Sequence, residues 1–554
     1  MSSHSRAAIF FRVVLLPLAL IGVTVAGLGS YYEASDDATL AWMFAGVLAL
    51  KPVVSVPLYF HGYGHALAAA YEAAPGVPWF GLLLGTTLAA ATVLAFAVLD
   101  RLLRPHLRPA AVVLVLISFF FVAWLEHWLW FSYVRGALLL AGLAVLFAAQ
   151  RPGRGGALVI GATGLLAAWL MRPGLGVLGW AAAIPAAIWL AGSWRKAAPV
   201  LVGGAALLAL VTGVAAVRQT PAEARVQARD KSLARILDFD QLRPQPHTPA
   251  DSLGTAAVDL WLLGDSTVVN ESLLRRVYGF DAQNFVGKEL PAKLWLRAGL
   301  LLRDYFPLLL ALVATGLLAR RRAGRGWFWL VQLAFAGVLV LFAGVFKLPP
   351  RLALPLLDFW LLTNAAFLWQ DPALGFVGGL GAEGSLMLRR LGVAAALFVG
   401  VLYSFKTGHR YQVLRRERLR HEYALQGIAR AGAGRVRVLA GTNDLLKSLS
   451  PFRSYTLGPG SQLLLTGWPS HDASQAGLRQ ALSGSTDQTT CLRRLAAGPD
   501  GRVLWVLSPE TAAWLKRRSA LVGPGLLVRP AAGAASGFPD STVRIYQVQV
   551  ASRP

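Results

Sequence analysis

The sequence predicts an α-helical polytopic membrane protein, with about 11 transmembrane helices and a small C-terminal α/β extramembrane domain. The first observation is composition: 56% of the residues are hydrophobic and only 15% are charged, whereas a soluble globular protein carries about 25% charged residues. The second observation is distribution, because the apolar residues gather in long runs that short basic patches separate. A run of roughly 20 apolar residues can cross the hydrocarbon core as a helix, which satisfies its own backbone hydrogen bonds.

The apolar runs divide the chain into a membrane domain, residues 1–404, and a tail, residues 405–554. Two long loops interrupt the membrane domain, at 29–77 and 218–298. Arg12 interrupts the first run, which favours a span over the alternative, a cleaved signal peptide. The predicted spans are 8–28, 78–98, 109–125, 135–149, 156–171, 175–192, 198–217, 299–318, 327–345, 352–369 and 390–404.

Lysine and arginine are unevenly divided between alternate loops, which predicts the orientation of the chain. The richer set is predicted to be cytoplasmic and holds Arg101, Arg104, Arg108, Arg151, Arg154, Arg195, Lys196, Arg320, Arg321, Arg322, Arg325, Arg389 and Arg390. Apart from the long second loop, the alternate loops hold Lys51, Arg135, Arg172, Lys347 and Arg351. The N-terminus is therefore expected in the cytoplasm and the tail outside it, in the plasma membrane of a bacterium.

The tail begins with a basic helical stretch, Arg410 to Arg430, and continues with alternating strand-like and helical segments. Clusters of Gly, Pro and Ser separate these segments, as is typical of a small α/β domain. The predicted strands are Val436–Ala440, Gln462–Thr466, Val503–Leu507 and Val543–Val550, and the predicted helices are Ala473–Leu482 and Pro509–Arg517.

Composition also excludes several function classes. The net charge is +25, but the cations flank apolar runs as the positive-inside rule requires, so no nucleic-acid partner is predicted. Cys491 is the single cysteine of the chain, so no disulfide can form within it. The sequence has no GxxxxGK[ST] motif, and ATP-driven transport therefore has no support.

Two adjacent carboxylates, Asp36 and Asp37, lie just beyond the first span. Like charges this close raise one another's pKa, which favours a group that accepts a proton near neutral pH. An acid pair can also hold a divalent cation such as Mg²⁺ or Mn²⁺. The alternatives are a solvated loop and an N-cap for a helix that begins near Ala38.

Histidines and one further acid lie near the ends of the early spans. His61 and His65 are four residues apart and share one face if the predicted helix at 64–71 extends that far. A metal pair would need a third ligand, and none is evident. Glu126 and His127 lie among aromatic residues at the end of the third span. An ionisable pair at a membrane edge is a functional candidate, and the alternative is that the pair marks the water interface.

Two cations precede the tenth span, where Lys347 and Arg351 flank the rigid pair Pro349-Pro350. Arginine can fork onto a phosphate and lysine can add a point charge. The alternative is headgroup anchoring by side chains that extend to the interface. The polar residues of the second long loop fit ordinary surface polarity; the most prominent are Asp230, Asp238, Asp240, Trp261 and Asp265.

Taken in chain order, these features resemble the GT-C glycosyltransferase superfamily. The resemblance is carried by Asp36-Asp37, the helix at 64–71, Pro78-Trp79 at the entry to the second span, Glu126, and the segment from Lys347 to Arg351. It covers about residues 8–370 and consists of architecture and short motifs. It does not extend to the C-terminal domain, and no subfamily acceptor motif is evident.

The resemblance implies a GT-C-like, inverting membrane glycosyltransferase. Such an enzyme moves a sugar from a polyprenyl-phosphate donor to a glycan, lipid or protein acceptor at the outer face, among membrane lipids. It implies that an acid of the first outer loop is the general base, here Asp36 or Asp37, with Asp37 favoured. Glu126 would support the substrate or a metal, and Lys347 and Arg351 would hold the lipid phosphate. The remaining candidate substrate-binding residues are His127 and His65, and no metal-ligand set is predicted.

Two other functions remain open. A transporter or flippase of a lipid-linked or small substrate predicts charged residues, or Gly/Pro breaks, in the middle of spans. A non-catalytic scaffold would bind partners through the C-terminal domain and would leave the acid pair without a purpose. The acids cluster at the outer ends of spans, which favours chemistry at the outer surface.

Overall fold

The computed structural model of the protein describes residues 5–56, 58–320, 325–369, 385–499, 501–522, 525–531, 538 and 542–551, of which 222, 385–393 and 522 are described by their backbone alone. The first part of the chain is a helical bundle with small additions. Its elements are α1 (Arg6–Leu28), β1 (Tyr31–Tyr32), α2 (Ser35–Phe44), α3 (Tyr63–Ala73), α4 (Trp79–Leu103), α5 (Pro109–Leu129), β2 (Trp130–Phe131), α6 (Tyr133–Ala149), α7 (Gly155–Met171), α8 (Pro173–Ala191) and α9 (Trp194–Arg218).

The second long loop is itself largely helical, and its last part merges with the next long helix. The elements that follow α9 are α10 (Pro221–Leu233), β3 (Arg243–Pro244), α11 (Pro249–Asp259), α12 (Glu271–Val277), β4 (Tyr278–Gly279), α13 (Ala282–Ala319), α14 (Arg325–Gly344), α15 (Pro350–Trp369) and α16 (Ser385–Ala431). Thr220 begins α10 with a capping box, because its hydroxyl accepts from the backbone of Glu223 while the Glu223 carboxylate accepts from Thr220.

The predicted helical, polytopic architecture is confirmed in its main feature. Among the described residues, eight helices are long and apolar enough to cross a membrane, namely α1, α4, α5, α8, α9, α13, α14 and α15. Helices α6 and α7 are apolar but shorter, and they coincide with the predicted spans 135–149 and 156–171. The predicted span 390–404 falls on α16, and the side chains of 390–393 lie outside the described residues. The count of eleven spans therefore stays a prediction.

The centre of the bundle is α6, which is buried along almost its whole length between α4, α7 and α8. Small residues let these helices approach closely, as is common between membrane helices. A Cβ atom added at Gly179 of α8 would lie 2.6 Å from the backbone oxygen of Leu138. One added at Gly142 would lie 2.2 Å from the ring of Phe359 in α15. The fold thus depends on glycine where α6 meets its neighbours.

At one end of the bundle, Arg12 of α1 is buried and pairs with Asp100 of α4 at 2.5 Å. A buried cation is tolerated only with such a partner. Both residues belong to the helix ends that carry the basic short loops. The opposite end carries residues 29–77, residues 219–281 and the tail, and is called the loop face below.

The first long loop is fixed to the bundle by backbone pairing. Tyr31 and Tyr32 of β1 pair in parallel with Trp130 and Phe131 of β2. Glu33 extends the pairing, since its backbone N–H donates to the oxygen of Phe131 at 2.9 Å. This short sheet sets α2, with its two aspartates, against the start of α6.

The tail contains the predicted small α/β domain. After α16 its elements are β5 (Val436–Ala440), β6 (Gln462–Leu464), α17 (Ala473–Ser483), α18 (Gln488–Ala496), β7 (Val503–Leu507), α19 (Pro509–Val522), β8 (Leu526–Pro530) and β9 (Arg544–Val550). The strand order is β6-β5-β7-β9-β8, in which β5 runs parallel to β6 and β7, while β9 runs antiparallel to β7 and β8. Each predicted strand and helix is found within a few residues, and the sequence analysis missed β8 and α18.

The tail packs directly on the loop face of the bundle. A Cβ atom at Gly81 of α4 would lie 1.7 Å from the backbone oxygen of Pro451, and one at Gly85 would lie 3.0 Å from the ring of Phe452. The backbone N–H of Tyr32 donates to the oxygen of Leu449, and that of Ser448 donates to the oxygen of Tyr32. The domain is therefore positioned by backbone contacts and can contribute side chains to a site on the loop face.

Candidate functional site

A cavity of about 670 Å³ lies on the loop face, where the bundle, the second long loop and the tail meet. The first loop contributes Asp36 and Tyr59 to its lining. The remaining lining comes from the starts of α6, α8 and α15, the end of α14, the second long loop with its helix α10, and a short turn of the tail. The size is typical of a pocket for a small molecule or a lipid headgroup.

The wall on the bundle side is apolar. Helix α8 contributes Leu175, Leu178 and Ala181, the last turn of α14 contributes Phe342, and Phe346 follows the end of α14. Helices α8 and α14 are both long and apolar enough to cross a membrane. Val177 of α8, which also lines the cavity, is 45% exposed. The cavity therefore has a hydrophobic flank on helices that are long and apolar enough to cross a membrane.

The rest of the lining is more polar, and its lysines and arginines are Arg172, Lys231, Lys347 and Arg351. Arg172 donates to the hydroxyl of Tyr133 at 2.7 Å and lies over the ring of Tyr59 at 5.0 Å. Arg351 lies 3.9 Å from the carboxylate of Asp36, with that carboxylate 43% exposed. Guanidinium groups held in this way are suited to a phosphate.

Glu33 links Arg351 of the cavity to the buried Arg135 of the bundle. Its Oε2 accepts from Arg135 of α6 at 2.8 Å, and its Oε1 accepts from the backbone N–H of Arg351 at 2.9 Å. Arg135 is fully buried and also faces the ring of His127. Because a buried charge pair holds its geometry well, Glu33 fixes the start of α15 against the first loop.

The two adjacent aspartates have different surroundings. Asp36 lines the cavity, whereas Asp37 is completely buried. Asp37 Oδ1 accepts from the backbone N–H of Tyr133 at 2.9 Å and from the Ser132 hydroxyl at 3.4 Å. Its Oδ2 is buried without a hydrogen-bond partner among the described residues. Burial raises the pKa of Asp37 to about 7, against the hydrogen bond from Tyr133 that lowers it.

This raised pKa predicts how stability depends on pH. Because the folded protein holds the Asp37 proton more tightly than the unfolded chain, stability is expected to fall as pH rises from about 4 to about 7. The loss attributable to Asp37 is on the order of 4 kcal/mol. In Asp37→Asn, thermal unfolding in detergent between pH 4.5 and pH 8 should show a flatter profile than wild type.

The control is Ser132→Ala, which removes a neighbouring hydroxyl but keeps the carboxyl group, and its profile should resemble that of wild type. Identical profiles for wild type and Asp37→Asn would contradict the prediction.

Glu126 and His127 lie behind the cavity and have protein partners. Glu126 accepts from Lys406 of α16 and, at 2.6 Å, from Arg410. His127 pairs with Asp358 of α15 at 2.7 Å, and both side chains are fully buried. Their predicted role in substrate binding stays a prediction, and in the structure they join α5 to α15 and α16.

His65 is exposed on α3, outside the described lining of the cavity. Its neighbour His61 packs against the ring of Trp169 at 5.6 Å. The predicted site residues that the fold does bring together are Asp36, Lys347 and Arg351.

Acids that the sequence analysis assigned to ordinary surface also reach the cavity. Asp230 of α10 pairs with His471 of the tail at 2.7 Å. Asp238 pairs with Lys347 at 3.2 Å. Each acid of the lining thus faces a cation or a histidine. The described residues contain no group of three or more His, Cys, Asp or Glu side chains that could hold a metal ion, so this set of donors does not fit a divalent cation.

The sequence analysis did not single out Arg172, Tyr59, Trp468 or His471 as site residues. The sequence could have indicated Arg172, because it is an arginine at the loop-face end of a predicted span, as Arg351 is. Trp468 and His471 lie in a tail turn that carries no local motif, and only the docking of the tail brings them to the cavity.

The fold and the cavity define a helical protein with membrane-length apolar helices and a small α/β domain that contributes side chains to a cavity on one face of the bundle. Comparison with protein-family models, with curated proteins and with solved structures gave no match for this chain.

Proposed function

We propose that the protein is a GT-C-like membrane glycosyltransferase, which moves a sugar from a polyprenyl-phosphate donor to an acceptor on the outer face of a bacterial plasma membrane. The loop face is then the outer face, and the basic short loops are cytoplasmic. Of those basic residues, Arg321, Arg322, Arg389 and Arg390 lie outside the residues whose side chains are described. Eleven spans would put the N-terminus inside and the tail outside.

The observation that carries this proposal is the two-sided character of the cavity. Its apolar flank, with Leu178 and Phe342, lies on helices long enough to cross a membrane. Its polar flank carries the cations Arg172, Lys347 and Arg351, with the carboxylate of Asp36 near Arg351 and that of Asp238 near Lys347. A polyprenyl-phosphate sugar has the same two parts, a hydrocarbon chain and an anionic headgroup, in the same order from the membrane outward.

The chemistry follows from these positions. The bond between the anomeric carbon and the phosphate oxygen breaks, and its electron pair leaves with the phosphate. A bond forms between the acceptor oxygen and the anomeric carbon from the opposite side, which inverts that centre. Asp36 takes the acceptor proton. Fixed cations stabilise the charge that grows on the leaving phosphate, where electrostatic stabilisation has its largest effect. No step uses a metal ion.

The test is binding of the donor lipid to the purified protein in nanodiscs. Wild type should bind radiolabelled polyprenyl phosphate more tightly than polyprenol of the same length. Lys347→Gln and Arg351→Gln should each raise the Kd for polyprenyl phosphate by about 10-fold or more, because each removes a charge-assisted contact.

The matched control is Lys51→Gln, which removes an exposed cation from the same face and should leave the Kd unchanged. Equal affinity for the phosphate and the alcohol would overturn the proposal. In the same preparation, wild type supplied with polyprenyl-phosphate sugars and a cell-envelope acceptor pool should transfer the label.

Transport is a second candidate, favoured by one observation. Asp358 and His127 are fully buried, and Asp358 lies about 12 Å along α15 from its start at Pro350. Buried ionisable pairs inside membrane helices are typical of transporters. Movement of a labelled polyprenyl-phosphate lipid across a proteoliposome bilayer, without transfer of its sugar, would favour this candidate.

A further inference from the structure

Three of the aromatic rings in the cavity lining come from segments outside the bundle helices. They come from three separate parts of the chain: Tyr59 from the first loop, Trp261 from the second, and Trp468 from the tail. All three residues are partly buried. The rings of Tyr59 and Trp468 meet edge to face, with centroids 5.9 Å apart.

A backbone hydrogen bond joins the two segments that carry the tryptophans. Trp261 has a positive φ of 57°, which is rare for a bulky residue and persists where the surroundings impose it. Its carbonyl oxygen accepts from the backbone N–H of Gly467 at 2.8 Å. Gly467 directly precedes Trp468, so this hydrogen bond joins the second loop to the tail at the two tryptophan-bearing segments.

Hydrogen-bonding groups flank the rings. The short turn Trp468–His471 carries the tryptophan at one end and, at the other, the histidine that pairs with Asp230. Asp238 adds a second carboxylate, 44% exposed, beside Lys347. Carboxylates accept hydrogen bonds from neighbouring hydroxyls, and ring faces carry negative charge that attracts C–H groups.

This combination favours one class of ligand. Asp230 and Asp238 repel an anionic ligand, and the cations beside them already have protein partners, since Lys347 pairs with Asp238 and Arg172 donates to the hydroxyl of Tyr133. A lipid chain would need an apolar surface, which the cavity offers on the side of α8 and α14. A sugar has both C–H faces and hydroxyl groups, so it matches aromatic rings set among carboxylates.

We propose that the second loop and the tail together form the acceptor subsite, and that it binds a carbohydrate. The role of this subsite as an acceptor site rests on the proposed transferase function, whereas the prediction that it binds a glycan does not. The tail is then part of the site: Trp468 supplies a stacking surface, and the pair of Asp230 and His471 supplies hydrogen bonds.

The experiment measures glycan binding separately from donor binding. Glycans released by mild acid from the envelope of the cells that naturally make the protein are labelled at their reducing ends with a fluorescent amine. They are then passed over full-length protein immobilised in nanodiscs. Wild type should retain a subset of them. Trp468→Ala should weaken retention by about 10-fold, which corresponds to the loss of one aromatic contact, and Trp468→Phe should restore most of it.

Two controls make the outcome decisive. Trp295→Ala removes a tryptophan that is 83% exposed on α13, outside the described lining of the cavity, and should retain glycans as wild type does. Polyprenyl phosphate binding, measured on the same samples, should be unchanged in Trp468→Ala, which also reports that the variant is folded.

Absence of glycan retention by wild type, or equal retention by Trp468→Ala, would overturn this inference even if the donor lipid binds. Retention of glycans without donor binding would support it and overturn the proposed transferase.

Discussion

Asp36→Asn is expected to lower kcat for sugar transfer by about 10²- to 10⁴-fold, the usual contribution of a general base. Asp36 is the carboxylate of the acid pair that lines the cavity, and Arg351 lies 3.9 Å from it on the flank assigned to the phosphate. Asparagine keeps the shape of the side chain but accepts no proton at neutral pH. Donor binding should change little, because the cations remain. The measurement is label transfer from polyprenyl-phosphate sugars at saturating donor.

The matched control is the neighbouring substitution Asp37→Asn. Asp37 is completely buried and accepts from the backbone of Tyr133, so this variant should affect stability and its pH dependence more than kcat. Transfer that collapses in Asp37→Asn and persists in Asp36→Asn would overturn the assignment of Asp36 and make Asp37 the base.

Glu126→Gln is expected to destabilise the protein by about 3–5 kcal/mol, the usual cost of removing one partner from a buried ion pair. Glu126 is 1% exposed and faces two cations of α16, Lys406 and Arg410. Without it, Asp304 is the acid that remains near them, 3.1 Å from Arg410. The positive charges of Lys406 and Arg410 would then lie close together with less negative charge beside them to offset their repulsion. The measurement is thermal unfolding in detergent, with limited proteolysis to follow the release of α16.

Two further variants test the electrostatic cause. Glu271→Gln removes an acid whose ion pair with Arg275 is exposed on both sides, and it should cost less than about 1 kcal/mol. The double variant Glu126→Gln/Lys406→Met removes a charge of each sign and should be more stable than Glu126→Gln alone. A single variant as stable as wild type would contradict a structural role for Glu126.

Secondary structure was predictable wherever it depends on local sequence. The apolar runs predicted most of the apolar helices within a few residues, because hydrophobic length alone sets a span. The exceptions are α13, which begins at Ala282 where the predicted span begins at 299, and α16, which continues to Ala431 where the predicted span ends at 404. The strands at 436–440 and 503–507 were predicted with their bounds, since short apolar runs between turn residues are typical of buried strands. β8 was missed because Arg529 and Pro530 make Leu526–Pro530 unlike a strand in sequence. It forms because β9 supplies an antiparallel partner.

The candidate site was predictable in part. Lys347, Arg351 and the acid pair were found because charged residues at span ends are conspicuous in an apolar chain. Their grouping around one cavity depended on the fold, and so did the partners of Glu126 and His127. The acids of the second loop carried no signal beyond ordinary polarity, although Asp230 and Asp238 both reach the cavity.

The sequence by itself determined that the protein is helical, membrane-embedded and completed by a small α/β domain, because hydrophobic length and periodicity are properties of short segments. Only the tertiary structure decided which aspartate faces the cavity. Asp36 and Asp37 are neighbours in α2, and successive residues of a helix point about 100° apart, so one faces the cavity while the other is buried against α6. Contacts between distant segments likewise decided that Trp468, more than 400 residues from Asp36 along the chain, lines the same cavity.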